Sequence, residues 1–269
     1  MSSGVIGLDT RSGAPHVRER TYSAATGAQH ARAMAAVPNL LLAALPREAS
    51  RALLPDLAPV TLAFGEVLYE PDAPMRHVYF PSTCLVSLLT IVEGHLALEV
   101  GLVGREGMVG FPLALGVDES PVRALVQGAG EALRMSKGRF VSALRKTPAL
   151  RRVLDRYIHS LIGQISRTAA CNRFHVVEAR LARWLLMTRD RVGSGEFRMT
   201  HEFLSSMLGV RRVGVTMAAS SFQRQHLIEY TRGRITILDH GGLEAACCSC
   251  YAAGAHAGLR WRAARMPSQ

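Results

Sequence analysis

Residues 201–240 read HEFLSSMLGVRRVGVTMAASSFQRQHLIEYTRGRITILDH, and this stretch carries the strongest structural signal in the chain. Thr200 is a favourable helix N-cap, and the apolar residues after it have one-sided helical spacing. Gly209 is expected to end this first helix, because glycine adopts a left-handed backbone at little cost. A second helix follows, so the stretch predicts two helices joined by a turn of three or four residues, the helix-turn-helix pattern.

Arg211 and Arg212 open the second helix. In a helix-turn-helix, this end of the second helix meets base edges in the major groove of DNA. An arginine there can bond guanine O6 and N7 with both arms of its guanidinium. The hydroxyl residues of the helix are candidates for phosphate contacts: Thr216, Ser220 and Ser221. The residues expected to face inward are Val213, Met217 and Ala218 or Phe222.

Two β-rich runs follow and flank Arg232 and Gly233, which predicts a hairpin. Arg232 and Arg234 at its tip are candidates for contacts with the DNA backbone, as a wing. The segment 173–269 holds 14 arginines and 7 acidic residues, so it contributes +7 of the chain's net charge of +11. Because phosphate neutralisation dominates affinity for nucleic acid, this concentration favours DNA as the partner. The alternative is a plain packing unit with a solvated basic face.

The composition is that of a globular protein. Its 269 residues are 48% hydrophobic and 20% charged, enough for one large or two medium domains. A pI of about 10.2 favours a polyanionic partner, with nucleic acid first and an acidic membrane surface second. The sequence contains neither a signal-peptide pattern nor an apolar stretch of ~20 residues, so we expect a cytoplasmic protein without membrane association. Five cysteines without a secretion signal are expected to be reduced.

The composition also divides the chain into regions. An arm rich in Ser, Gly, Ala and Arg is expected to be flexible. Two short helices broken at Pro46 and Pro55 follow, and then short β-rich runs between Gly and Pro turns, which predict an antiparallel sandwich or barrel. The expected divisions are an arm over 1–37, a β-rich domain over 38–147, a long helix over 148–172, the helix-turn-helix domain over 173–250 and a tail over 251–269.

The long helix carries an apolar seam with steps of four and three residues. Such a seam suits a helix that packs along its whole length, and a two-helix coil across a dimer axis is the favoured version. The dimer contacts are then expected from Leu150, Leu154, Tyr157, Leu161 and Ile165. The alternative is a helix that lies on the sheet of its own domain.

The order of these parts resembles the Crp/Fnr family of bacterial transcription regulators. The likeness spans about residues 38–250 and is strongest in VYFPSTCLVSLLT, EVGLVGREGMVGFPLALG and GVRRVGVTMAASSFQRQHLIEYTRGRITILD. It implies an α+β protein with an N-terminal antiparallel β-roll of the cyclic-nucleotide-binding type, a long dimerisation helix and a C-terminal winged helix-turn-helix. It also implies a homodimer on a pseudo-palindromic site. Arg212 falls where the family reads guanine. Val213 stands where cyclic-AMP-type members have an acidic residue, so it is also a candidate for contact with DNA.

The effector pocket departs from the family pattern. Cyclic AMP binders carry a Gly-Glu pair for the ribose and an Arg-Ser or Arg-Thr pair for the phosphate, whereas here Gly110 precedes Phe111 and Arg123 is displaced and precedes Ala124. A buried phosphate without its arginine loses a charge-assisted hydrogen bond. We therefore expect no tight binding of cyclic AMP, and the effector is not identified. Residues 1–83 contain no cysteine, so an N-terminal iron–sulfur cluster is not expected, and no cofactor is predicted.

Cys247, Cys248 and Cys250 form a cluster in an Ala-rich stretch that is predicted as a helix. Small cysteines on such a helix are expected to pack, so no metal site is predicted. In the alternative of a metal or redox site, a fourth ligand is needed, and His240 or His256 is the candidate.

A DNA-binding regulator is the leading hypothesis. Its expected partners are double-stranded DNA and a second copy of the chain, with RNA polymerase as a further candidate. The alternative is a ligand-sensing module of the cyclic-nucleotide type that acts through a protein partner. The sequence contains no phosphate-binding glycine loop, metalloprotease motif or nucleophile elbow, so an enzyme is not expected.

Overall fold

The computed structural model describes residues 39–92 and 97–252. The arm predicted over 1–37 and nearly all of the tail predicted over 251–269 lie outside the described residues. Within them, no helix is both long and apolar enough to cross a bilayer.

Two short helices open the described chain, α1 (Leu40–Ala43) and α2 (Arg47–Leu53), and a 3-10 turn covers Leu54–Asp56. The predicted pair of helices is therefore observed. Asn39 caps α1 and also ties it to the strands and loops of the β-rich region that follows. Its Oδ1 accepts from the amides of Leu41 and Leu42, while its Nδ2 donates at 2.8 Å to the carbonyls of Pro81 and Gly107.

Seven strands form the roll: β1 (Ala58–Leu62), β2 (Val67–Tyr69), β3 (His77–Pro81), β4 (Leu85–Thr90), β5 (Leu98–Val103), β6 (Arg123–Gly128) and β7 (Gly130–Ser136). They pair antiparallel in two sheets, with the orders β1-β7-β3 and β2-β6-β4-β5. A 3-10 helix over Phe111–Leu115 follows the loop after β5. Apolar side chains fill the space between the sheets, among them Val78, Phe80, Val86 and Val126, each at most 1% exposed. The predicted antiparallel roll is confirmed.

Two helices leave the roll, α3 (Lys137–Lys146) and α4 (Pro148–Phe174). The 27 residues of α4 give it a length of about 40 Å. Its apolar seam packs inside one protomer, and this corrects the expected dimer contacts. Four of the five seam residues are at most 4% exposed in the core of the roll, and the fifth is half-buried against it: Leu150, Leu154, Tyr157, Leu161 and Ile165. On this face the structure therefore has the alternative, a helix that lies on the sheet of its own domain.

Polar contacts fix the position of α4 on the roll. The ring of Tyr157 lies on Gly107, where a Cβ would come within 2.4 Å of the ring. Its Oη donates to the carbonyl of Met108 at 2.8 Å. Two turns further on, the Gln164 amide accepts from the Leu102 N–H at 2.7 Å and donates to the Leu102 carbonyl at 3.1 Å. The side chain of Gln164 therefore satisfies both backbone groups of Leu102 on β5, as a neighbouring strand would.

The C-terminal domain consists of α5 (Val177–Val192), β8 (Glu196–Arg198), α6 (His201–Leu208), α7 (Arg212–Arg224), β9 (Ile228–Thr231), β10 (Arg234–Ile237) and α8 (His240–Ala245). Its three strands pair antiparallel in the order β8-β10-β9. The helices enclose a second core around Leu185, Leu204 and Phe222. Because α8 ends at Ala245, Cys247 and Cys248 of the cysteine cluster predicted on a helix lie in the turn beyond it, whereas Cys250 opens a further helical stretch.

A buried carboxyl joins the two domains. Glu99 on β5 accepts from Ser87 Oγ at 2.7 Å and, across the junction, from Trp184 Nε1 on α5 at 3.0 Å. An ion pair lies close by, since Arg191 Nε donates to Glu106 Oε1 at 2.8 Å and both side chains are at most 20% exposed. Burial raises the pKa of Glu99 to about 7, against the lowering effects of its two hydrogen bonds and of nearby arginines. The junction therefore holds a proton at mildly acidic pH.

Replacing Glu99 with Gln is expected to flatten the pH dependence of stability. The folded protein keeps the proton on Glu99 up to about pH 7, whereas the unfolded chain releases it near pH ~4.3. The free energy of unfolding of the wild type therefore falls as pH rises through this window. Gln is neutral and still accepts from Trp184. The stability of Glu99→Gln relative to wild type should thus grow by roughly 2 kcal/mol between pH 5 and pH 8.

Urea unfolding of both proteins at pH 5, 6, 7 and 8 measures this difference. Glu48→Gln, at an exposed position on α2, is the control and should follow the wild type at every pH. Parallel curves for Glu99→Gln and wild type would contradict the prediction.

Candidate nucleic-acid interface

Local sequence defines the helix pair α6 and α7. Thr200 Oγ1 accepts from the Phe203 amide at 3.1 Å and caps α6 as predicted. Gly209 ends α6 with a φ of 60°, where a side chain would be strained, and an added Cβ would also lie 2.7 Å from Leu98 of the roll. Arg211 is the N-cap of α7. The turn predicted from sequence therefore spans three residues and contains the glycine.

One face of α7 is buried against α5 and α6. The buried positions repeat at helical spacing, and each is at most 2% exposed: Val215, Ala218, Ala219 and Phe222. Small alanines in the middle of this face allow the helix to approach its neighbours closely. The inward prediction is right for Ala218 and Phe222 and wrong for Val213 and Met217, which are 62% and 65% exposed. These two apolar side chains are therefore displayed to solvent.

The other face of α7 presents a compact set of side chains to solvent. Arg212 is the first of them, and the others follow one, four, five and eight residues later on the same side of the helix: Val213, Thr216, Met217 and Ser220. All are exposed except Ser220, which is half-buried. Arg212 is the first residue of α7, and its side chain is 69% exposed. Its only described ion pair, with Glu202, is long at 3.9 Å. We call this set the exposed face of α7.

A small polar network supports the exposed face from behind. The imidazole of His201 stacks on the ring of Tyr230, with centroids 4.3 Å apart, and its Nδ1 lies 3.0 Å from Thr216 Oγ1. That hydroxyl also donates to the Arg212 carbonyl at 3.1 Å. Burial lowers the pKa of His201, and the charge of Arg212 lowers it further. The stacked imidazole thus holds the Thr216 hydroxyl in a defined position, in which its proton points to the Arg212 carbonyl and not to solvent.

The predicted wing is a hairpin of β9 and β10. Thr231 and Arg234 pair across a two-residue turn, and Arg232 and Gly233 both have positive φ, at 50° and 77°. Such a turn matches the twist of the strands. Arg232 is exposed at the tip. Arg234, at the start of β10, forms an exposed 2.7 Å ion pair with Glu196 on β8.

The three residues of the predicted effector pocket have different surroundings. Gly110 has a φ of 96°, and an added Cβ would lie 2.9 Å from Tyr69 Oη. Phe111 is half-buried against the core of the roll. Arg123 Nε donates to Glu70 Oε2 at 2.8 Å in a half-exposed pair. A cleft of about 390 Å³ between β2 and β3 lies next to these residues, but none of the three lines it.

Sequence reasoning missed two buried arginines on α5. Arg180 and Arg183 are each 8% exposed. Arg180 Nη2 donates to Asn172 Oδ1 at 2.9 Å and also to the carbonyl of Leu208. Arg183 Nη2 donates to Thr168 Oγ1 at 2.9 Å. Apolar periodicity predicts arginine at the surface of a helix. The one signal for burial was the dense apolar run LARWLLM, which contains Arg183 and directly follows Arg180, because such a run indicates a helix buried on several sides.

Residues 179–246 match the family model described as a Crp-like helix-turn-helix domain. The chain also shares its fold with many solved structures. FixK2 from Bradyrhizobium japonicum is 14% identical over 72% of this chain and 98% of its own, with a TM-score of 0.62. The c-di-GMP responsive global regulator CLP of Xanthomonas campestris is 16% identical over 72% of this chain and 100% of its own, with a TM-score of 0.59.

A CRP/FNR-family transcriptional regulator from Thermus thermophilus is 20% identical over 70% of this chain and 97% of its own, with a TM-score of 0.56. The comparison with curated proteins gives no match. At these identities the solved structures establish the fold, and the domain match covers the helix-turn-helix. Together they confirm the resemblance on which the expected architecture rests.

Two valines of α7 test which face of this helix is exposed to solvent. Val215 is fully buried and Val213 is 62% exposed. Val215→Ala should lower the free energy of unfolding by about 1–3 kcal/mol, because it leaves a cavity. Val213→Ala should change it by less than about 0.5 kcal/mol. Chemical denaturation of the two variants and the wild type measures both, and equal losses would contradict the orientation of α7.

Proposed function

We propose that this chain, which carries a Crp-like helix-turn-helix domain on the fold of Crp/Fnr regulators, is a sequence-specific DNA-binding transcriptional regulator. The observation that carries the proposal is the exposed face of α7. A buried face anchors this helix, while its opposite face displays arginine, hydroxyl and apolar groups outward. Exposed apolar side chains in a helix that has a well-packed inner face indicate an outside partner.

The chemistry of this face fits base edges in the major groove. Arg212, at the N-terminal end, can span guanine O6 and N7. Val213 and Met217 offer apolar contact, which suits thymine methyl groups. Neither can accept a hydrogen bond from cytosine N4, so the operator should differ from one that is read by an acidic residue at position 213.

The wing supplies sequence-independent attraction. Arg232 stands exposed at the hairpin tip, within the part of the chain where arginines outnumber acidic residues two to one. Arg234 can exchange its pairing with Glu196 for a phosphate at little cost, because exposed ion pairs contribute at most ~1 kcal/mol. We therefore expect affinity to fall steeply with salt concentration.

We infer that a second copy of the chain packs on the outer face of α4, since the inner face is occupied by the roll. Ile162 is 56% exposed on this outer face, and small residues flank it along the helix: Gly163, Ser166, Ala169 and Ala170. Small side chains let two helix backbones approach closely. A two-fold dimer would place two α7 helices on half-sites about 34–36 Å apart. RNA polymerase is a further partner for such a regulator.

We also propose that cyclic AMP does not control this protein. The guanidinium of Arg123 is paired with Glu70, and Phe111 occupies the position of a ribose-binding carboxylate. The alternative function, a sensor that acts through a protein partner, has less support, because the match to a helix-turn-helix model covers the domain that would have to bind the partner. No catalytic activity is proposed.

Arg212→Ala should weaken binding to the preferred duplex by about 1–3 kcal/mol and relax the preference at one base pair of each half-site. The preferred duplex is first selected from a randomised library with the wild-type protein, and fluorescence anisotropy at fixed salt then measures the affinities. Arg224→Ala, at the exposed far end of the same helix, is the matched control and should keep the base preference. Wild-type affinity and preference in Arg212→Ala would overturn the assignment.

Ile162→Glu should convert the dimer into a monomer, because it places a charge at the centre of the inferred contact. Sedimentation equilibrium measures the oligomeric state. Val117→Glu is the control, since Val117 is also an apolar residue that is 51% exposed but lies on the roll. If Ile162→Glu remains as dimeric as the control, the outer face of α4 is not the interface.

A further inference from the structure

Four potential metal ligands from two distant parts of the chain meet at the end of α4. Two come from the last turn of α4 and the residue after it, and two come from the segment after α8, which becomes helical again at Cys250: Cys171, His175, Cys248 and Cys250. Three Sγ atoms and one imidazole nitrogen all lie within 4.8 Å of one another. We call this set the thiol–imidazole cluster.

The distances resemble the edges of a tetrahedron. Sγ of Cys171 and Sγ of Cys248 are 3.6 Å apart. Sγ of Cys250 and Nδ1 of His175 are 3.7 Å apart. A tetrahedral zinc ion with bonds of about 2.3 Å to sulfur and 2.0–2.1 Å to nitrogen sets its ligand atoms about 3.5–3.8 Å apart. Two opposite edges of the cluster therefore already have the required length, and the others need to shorten by no more than about 1 Å.

We propose that the thiol–imidazole cluster binds Zn²⁺ in a closed, structural site. Three thiolates and one imidazole are a donor set that selects zinc over magnesium or calcium, which prefer oxygen. Four protein ligands leave no position for water, so the site stabilises structure and does not catalyse a reaction.

The surroundings suit the charge of such a site. Zn²⁺ with three thiolates carries a net charge of −1. The buried guanidiniums of Arg180 and Arg183 donate to neutral oxygens, and neither forms an ion pair with a carboxylate in the described chain. A bound zinc–thiolate centre would provide the negative charge that these arginines lack.

The ligand set differs from both candidates that the sequence suggested. His240 lies 3.8 Å from Glu244 on its own helix, and His256 lies outside the described residues. Cys171 and His175 are four residues apart, so the helix brings them to one face. Cys247 is half-buried beside the cluster and is not one of the four residues. It therefore serves as a spare thiol for comparison.

The proposed ion would link the two sides of the bend between the two domains. After α4 the chain turns at His175 and Val176, which both have extended backbone angles, and α5 begins at Val177. Cys248 and Cys250 belong to the end of the helix-turn-helix domain. Zinc would therefore fasten this domain to the end of α4 and fix the direction of α7 relative to the long helix. The consequence for DNA rests on the proposed function, whereas metal binding does not.

Zinc content of the full chain tests the site directly. The protein is purified anaerobically with reductant and Zn²⁺, desalted, and measured for zinc per chain by mass spectrometry of the metal. We expect about one zinc per wild-type chain. Cys248→Ser and His175→Ala should lose most of it, and Cys247→Ser should keep it. Circular dichroism checks that the variants fold, and the partly exposed position of His175 makes His175→Ala the variant least prone to misfold.

A second readout is the absorption of the Co²⁺-loaded chain, which reports tetrahedral thiolate ligation without use of DNA. Tetrahedral bands in the wild type and in Cys247→Ser, and their loss in Cys248→Ser, would support the site. Wild-type protein without zinc, equal zinc in all variants, or zinc lost only in Cys247→Ser would overturn it. A Cys171–Cys248 disulfide in the anaerobic protein would also overturn it, because two of the thiolates would be consumed. DNA affinity then tests the proposed function separately.

Discussion

The contact between Tyr157 and Gly107 sets the position of α4 on the roll, and the C-terminal domain follows from the end of α4. The ring occupies the space that any side chain at 107 would fill, and its hydroxyl holds the carbonyl of Met108. Because the same loop also presents Glu106 to Arg191, one glycine-containing segment sets both the angle of α4 and the placement of α5. The GREGM sequence is therefore best understood as a docking surface for two helices. The buried Glu99 and Trp184 complete this junction.

The sequence predicted those parts of the fold that depend on neighbouring residues. Thr200 and Gly209 mark the ends of α6 by their own backbone preferences, so the helix-turn-helix was predictable with its turn. The seam on α4 shows the limit of this reasoning. Periodicity established that Leu154 and Leu161 are buried, but a buried stripe carries no information about whether its partner is the same chain or a second one. The preference for a two-helix coil, drawn from the seam alone, therefore gave the wrong partner for that face.

The errors at the candidate site have a related cause. Apolar spacing predicts Val213 and Met217 in the interior, because apolar residues are usually buried, whereas both side chains are exposed. Arg180 and Arg183 were overlooked because charged residues are usually exposed. Both exceptions occur where a residue serves an interface in place of the core. The thiol–imidazole cluster was out of reach for another reason, since its two halves lie more than seventy residues apart along the chain.

The two hydrogen bonds of Arg180 have a mechanical consequence. One nitrogen of the guanidinium holds both Asn172, in the last turn of α4, and the carbonyl of Leu208, at the end of α6. A rigid, planar strut thus runs from the long helix to the turn directly ahead of α7. If α4 tilts when the roll changes shape or a second copy docks, Arg180 moves the turn at the end of α6 together with α4. A displacement that starts far from the exposed face of α7 can in this way change the direction of that face without any rearrangement of the apolar interior.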